Sequence, residues 1–195
     1  MLTLIGSSKV ANQLKKMHPK VNRLRAVLGL DAKNAAIVTA HADIQQSVKE
    51  VLSGALSFNG QRCTALKIVW VHRSIADQFI SNFNKALEEL KFGMPWEQDV
   101  SLTPLPEPDK VEYLDGCIAD AVAHGAKVVN PHGGTSYLSF YYPAVVYPVT
   151  EDMRLYHEEQ FGPIVPVVPY DDPEEVIKYL IDSKYGQQAS IFTND

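Results

Sequence analysis

Phe58-Asn59-Gly60-Gln61-Arg62-Cys63-Thr64-Ala65 is the stretch on which the rest of the chain is organised. Before it, Asp43 is suited to cap a helix that runs to about Leu56, with Ile44, Val48, Val51, Leu52 and Ala55 on one face at helical spacing. After it, Leu66 to His72 has the β-branched and aromatic make-up of a strand. A cysteine between a Gly-Gln-Arg turn and a small-residue exit is placed to be reached. Cys63 is therefore a candidate nucleophile, since a loop-borne thiol can ionise where a packed one is inert. A buried structural thiol is the competing reading, and the residues alone leave it open.

Outward from the loop, strands and helices alternate. Towards the N-terminus, Leu2 to Ile5 reads as a buried strand, Gly6-Ser7-Ser8 as the turn into a helix from Ser8 to Lys16, and His18-Pro19 as its end. Leu24, Ala26 and Leu28 alternate with Arg23, Arg25 and Val27, which suggests a second strand, and Ala35 to Val38 a third. Towards the C-terminus, Ser74 opens a helix to about Phe92 with Ile75, Phe79, Phe83, Leu87 and Leu90 as its apolar stripe. Pro95, Pro104, Pro106 and Pro108 mark a structured loop before a helix from Asp109 to His124, which Gly125 closes. Cys117 lies beside that helix's apolar stripe and reads as a small packed hydrophobe.

The remaining elements follow the same rhythm. Lys127 to Val129 reads as a strand, His132-Gly133-Gly134 as a turn, and Tyr141 to Val149 as a strand that Pro143 puts at an edge or a bend. Glu158 to Pro163 is a polar loop, Ile164 to Val168 a strand, Pro173 to Ser183 a helix and Ala189 to Phe192 the last strand. The fold class is α/β: a largely parallel sheet with helices on both faces.

Composition narrows the function classes. A net charge of -5 over 195 residues argues against nucleic acid, which selects a basic face. Two cysteines make no disulfide framework, and His18, His41, His72, His124, His132 and His157 fall singly, so no metal site is expected. No apolar run approaches the roughly 18 residues that a membrane span needs. A cytoplasmic setting, where thiols stay reduced, is the expectation.

Several blocks, in order, resemble the aldehyde dehydrogenase superfamily. Gly60-Gln61-Arg62-Cys63-Thr64-Ala65 is similar to its nucleophile motif, Glu159-Gln160-Phe161-Gly162-Pro163 to its Glu-x-Phe-Gly-Pro motif, and Ile5-Gly6-Ser7-Ser8-Lys9-Val10 to the segment that closes its cofactor domain. Ala42-Asp43-Ile44 and Ser190-Ile191-Phe192-Thr193 fall in the same order and spacing. Arg62 beside the cysteine, with Asp152-Met153-Arg154 ahead of Glu158-Glu159, most resembles the non-phosphorylating, NADP-dependent glyceraldehyde-3-phosphate dehydrogenases.

The resemblance implies the oxidation of a small, phosphorylated aldehyde such as glyceraldehyde 3-phosphate to the acid, with NADP or NAD, through a thioester on Cys63. It implies that Arg62 holds the substrate phosphate, a task that suits a planar guanidinium; a surface or carboxylate-paired arginine stays equally open. It places Glu159 on the nicotinamide ribose, Phe161 against the nicotinamide, Gly6 and Ser7 near the pyrophosphate, and Leu30 beside the cofactor. One position departs from the pattern. The family's Glu-Leu-Gly-Gly-Lys, whose glutamate activates the deacylating water, is matched here by Gly29-Leu30-Asp31-Ala32-Lys33. Asp31 is expected to be structural.

Two further readings follow from Gly29: a catalytically silent homologue acting as an assembly subunit, or an acylating enzyme that passes the thioester to coenzyme A. By the resemblance, residues 1–29 are the C-terminal remnant of a dinucleotide-binding domain. Residues 30–195 are a catalytic domain without the family's last C-terminal segment. A piece of this extent is expected to be inactive alone, and the full-length protein to be a homodimer or homotetramer.

Overall fold

The computed structural model of the chain describes residues 1–186 and 188–195. Its backbone divides into two compact units, Met1–Ala32 and Lys33–Asp195.

The smaller unit is a β-α-β arrangement. Strand β1 (Leu2–Ile5) leads through helix α1 (Ser8–Met17) to β2 (Ala26–Gly29), which pairs with β1 in parallel, Leu2 opposite Ala26. A 3-10 turn at Val21–Arg23 takes up part of the stretch expected to be strand, so β2 starts at Ala26. At the head of α1 the Ser7 hydroxyl accepts from Val10 N at 3.3 Å, and the backbone N–H and hydroxyl of Ser8 both donate to the Asp31 carboxylate. Asp31 thus has the structural role expected of it: it takes up helix donors that would otherwise lack partners.

The larger unit is built on a six-stranded sheet in the order β10-β3-β4-β9-β8-β5. Its strands are β3 (Ala35–Val38), β4 (Ile68–His72), β5 (Lys127–Val128), β8 (Ala144–Tyr147), β9 (Ile164–Tyr170) and β10 (Ala189–Phe192). All neighbours pair in parallel except β5 on β8. A two-stranded ribbon, β6 (Ser136–Tyr137) and β7 (Phe140–Tyr141), lies outside the sheet. Helices cover both faces, which is why β4 and β9 are near-continuous apolar runs instead of alternating ones.

One face buries Ala35, Ile68, Trp70, Val146, Ile164 and Val168. They pack under α4 (Lys110–Ala123), α5 (Arg154–His157) and α6 (Pro173–Asp182), whose Leu114, Cys117, Leu155 and Tyr179 meet them. The other face buries Ala36, Val38, Val69, Val71, Val145 and Val167 under α2 (Ile44–Leu56) and α3 (Ala76–Glu88). The Asp43 cap is present, accepting from Gln46 N at 3.0 Å. Helix α3 is shorter than expected: Arg73–Ile75 forms a 3-10 turn first, and Glu88 is the last helical residue.

Pro143 marks a bend, not an edge. It separates β7 from β8, and β8 lies inside the sheet between β9 and β5. Gly125 follows α4 at φ +97°, the left-handed geometry that closes a helix. Among the described residues no helix is long and apolar enough to cross a membrane.

Candidate active site

The Cys63 loop begins where α2 unwinds. Ser57 returns its hydroxyl to the Ser53 carbonyl at 2.6 Å. Three residues in a row then take left-handed backbone: Phe58 at φ +54°, Asn59 at +58° and Gly60 at +69°. Asn59 tolerates this conformation, but a phenylalanine rarely adopts it, so the surroundings must hold it. They do so through a reciprocal pair: Asn59 Nδ2 donates to Thr103 Oγ1 at 3.1 Å, and Thr103 N donates to Asn59 Oδ1 at 3.0 Å. Gly60 is required for space as well as for φ. A Cβ there would stand 2.7 Å from the Ala55 carbonyl and 2.8 Å from that of Gly162.

The reversed chain presents Cys63 at the surface while its backbone stays tied down. Asn34 Nδ2 donates to the carbonyls of Cys63 and Ala65, each at 2.8 Å. Gln188 Nε2 donates to the Thr64 carbonyl at 2.8 Å. Lys67 N donates to Asn34 O at 2.8 Å, and its ammonium donates to the Arg62 carbonyl. The Arg62 guanidinium lies over the Phe58 ring, 5.4 Å from its centroid, and the buried Arg62 Nε has no hydrogen-bond partner among the described residues.

The Glu159 loop comes up beside it. Glu159 Oε1 is 3.3 Å from Lys67 Nζ; the lysine side chain is 1% exposed and the glutamate 13%. The Glu159 carbonyl accepts from Tyr113 OH at 3.0 Å. Phe161, at φ +42°, has the ammonium groups of Lys67 and Lys110 at 5.1 and 5.7 Å from its ring centroid. Between Glu159 and Phe161, Gln160 turns inward: its Nε2 donates to Lys67 O at 2.9 Å and Ile164 O at 2.8 Å, and its Oε1 accepts from Lys33 Nζ at 2.7 Å.

Cys63, Arg62, Glu159 and Phe161 therefore converge in the larger unit. Gly6, Ser7 and Leu30 belong to the smaller unit, where Gly6 N donates to Gly29 O at 2.9 Å and Leu30 is half-buried.

The residues that sequence reasoning missed are Lys33, Asn34, Lys67 and Gln160. A signal was present: Lys67 interrupts the apolar run from Ala65 to Val71, and a charge in a strand covered on both faces must be paired. Burial, then the neighbouring Lys67 ammonium, lowers the Lys33 amine from 10.5 to about 7. Burial also lowers Lys67, with the Glu159 carboxylate opposing. Burial pushes the Cys117 thiol up, consistent with a packed hydrophobe.

A sequence model of the aldehyde dehydrogenase family matches residues 1–195. The chain is 39% identical over 169 residues to a NADP-dependent glyceraldehyde-3-phosphate dehydrogenase of Streptococcus equinus, covering 87% of this chain and 35% of that protein. It is 32% identical to the lactaldehyde dehydrogenase of Escherichia coli K12 over 197 residues, 100% of this chain and 41% of that protein. The crystal structure of the NADP-dependent glyceraldehyde-3-phosphate dehydrogenase of Bacillus halodurans C-125, complexed with NADP, superimposes with a TM-score of 0.91 at 35% identity, covering 99% of this chain and 39% of that one. The chain thus spans about two fifths of the length of these relatives. Matched along its whole length in sequence and in fold, the chain belongs to the aldehyde dehydrogenase family.

Proposed function

We propose that the chain carries the thiol-bearing part of an NAD(P)-dependent aldehyde dehydrogenase in which Cys63 is the nucleophile. The observation that carries this reading is the Cys63 loop, an exposed thiol on backbone fixed by Gly60, Asn34 and Gln188. Cys63 Sγ attacks the aldehyde carbon, and the Cys63 backbone N–H is the donor assigned to the oxygen that gains charge. Loss of hydride leaves a thioester on Cys63, and water releases the acid and restores the thiol.

A bound nicotinamide nucleotide supplies the hydride acceptor. The larger unit offers groups that fit it: Glu159, a partly exposed carboxylate able to accept from two ribose hydroxyls, beside the Phe161 ring as a wall. Gly6 and Ser7 are assigned to the pyrophosphate by the resemblance, although Gly6 N already donates to Gly29 O and the Ser7 hydroxyl already caps α1. NADP is favoured over NAD by the relatives that use it. A phosphorylated small aldehyde is the substrate class favoured by the same relatives, and by an Arg62 whose buried Nε has no acceptor among the described residues. The complete protein is proposed to be a cytoplasmic homodimer or homotetramer.

The test mixes the complete gene product with glyceraldehyde 3-phosphate and NADP under single-turnover conditions. A burst of reduced nucleotide that Cys63→Ser abolishes is expected. A burst that survives Cys63→Ser, or no burst from a protein whose Cys63 alkylates freely, overturns the reading; the second result favours the silent homologue. Gly29 favours an acylating alternative, because no carboxylate stands where the resemblance puts the water-activating one. A burst followed by turnover only when coenzyme A is added identifies it. The 195-residue chain alone is expected to show no turnover.

A further inference from the structure

We infer that Lys67 is a positioning residue through which the Cys63 loop and the Glu159 loop set each other's geometry. One buried ammonium bridges the two: it donates to the carbonyl of Arg62, the residue before the nucleophile, and pairs with Glu159 Oε1 at 3.3 Å. The inference rests on the proposed function for what Glu159 holds, but not for the bridge itself.

Three observations separate this bridge from an incidental ion pair. An exposed pair is worth little because water and salt screen it. Lys67 is 1% exposed, so its ammonium is met by protein groups instead of solvent: these two oxygens, with the Phe161 ring 5.1 Å away. The Arg62 carbonyl also accepts from Ala65 N at 3.1 Å, which makes it the closing acceptor of the turn that carries Cys63. The main chain of Lys67 is fixed too, its N–H on Asn34 O and its carbonyl on Gln160 Nε2, so the ammonium reaches out from a fixed base. A displacement of the Glu159 carboxylate is therefore passed to the turn rather than absorbed by a mobile side chain.

The bridge makes two measurable demands on the complete protein. The first needs no cofactor or substrate: amide exchange at Ala65, whose acceptor Lys67 steadies, should be about tenfold faster in Lys67→Met as the turn opens more often. The second is kinetic. Lys67→Met should raise the KM for NADP about tenfold, with kcat nearly unchanged, and in a Glu159→Gln background it should add less than about twofold, because the two residues act as one unit.

Should Lys67→Met fail to fold, Glu159→Gln alone reads the bridge from the other end and should also speed Ala65 exchange. Unchanged Ala65 exchange in these variants, or additive effects on the NADP KM, overturns the inference. A wild type that reduces no NADP removes the proposed function instead, and the exchange measurement still decides the bridge.

Discussion

The side-chain amide of Asn34 holds the Cys63 carbonyl at 2.8 Å and, with its other hydrogen, the Ala65 carbonyl at the same distance. A single buried side chain at the entrance to β3 thus spans both sides of Thr64, fixing the backbone and leaving the thiol at the surface. Asn34→Asp turns a double donor into an acceptor facing two acceptors. A loss of about 3 kcal/mol in urea-unfolding stability is expected, with a smaller loss for Asn34→Leu, which leaves the carbonyls unpaired but not opposed. Equal losses for the two substitutions would show that the amide does not carry the loop.

Gly60 and Gly125 both have positive φ, +69° and +97°, but only Gly60 is enclosed. Gly125→Ala meets nothing within 4 Å and should lose only the conformational cost, about 1 kcal/mol. Gly60→Ala adds a collision with two carbonyl oxygens and should lose about 3 kcal/mol or more. Thermal unfolding of the two variants beside the wild type checks the order, and a smaller shift for Gly60→Ala would contradict the packing described.

How much of this was legible beforehand follows from what each signal depends on. The Asp43 cap, the faces of α2 and α3 and the punctuation at Gly125 are local, so the sequence carries them. The apolar runs of β4 and β9 announced strands, but not their neighbours: sheet order depends on crossovers that no local pattern encodes. Around Cys63, the motif singles out Arg62, Glu159 and Phe161, which the fold brings together. It could not reveal that Lys67, Asn34 and Gln160 connect them, because those bonds join residues far apart in the chain. Pro143 allows either an edge or a bend from the sequence, because a proline reports a missing donor and not which side of the sheet it falls on; the structure selects the bend.

Arg62 gives a prediction on selectivity. Its guanidinium is steadied over Phe58, and its Nε has no protein acceptor among the described residues. Arg62→Met should raise the KM for glyceraldehyde 3-phosphate by about tenfold to a hundredfold, the value of one or two charge-assisted hydrogen bonds, and leave an unphosphorylated aldehyde within about twofold. Equal effects on both substrates would place Arg62 in the loop's architecture and not in phosphate recognition.

Lys33 makes stability depend on pH in a direction opposite to that of an ordinary surface lysine pair. Its amine is held at about 7 in the fold, chiefly by burial, against 10.5 ordinarily. Below about pH 7 it is charged in both states, and the full cost of burying that charge opposes folding. As pH rises above 7 the folded amine loses its proton while the unfolded one keeps it. Stability should therefore climb from about pH 7 towards 10.5, by up to about 1.4 kcal/mol per pH unit from this group. The buried Cys117 thiol acts oppositely above its ordinary value of 9.0, while Lys67 and Lys110, also lowered by burial, act in the same direction as Lys33, so the comparison with a Lys33 variant and not the pH window assigns the slope. Lys33→Met, which removes the titrating group and keeps an apolar stem beside Gln160, should lessen the climb in urea titrations. A slope shared by Lys33→Met and the wild type would assign the pH dependence to other groups.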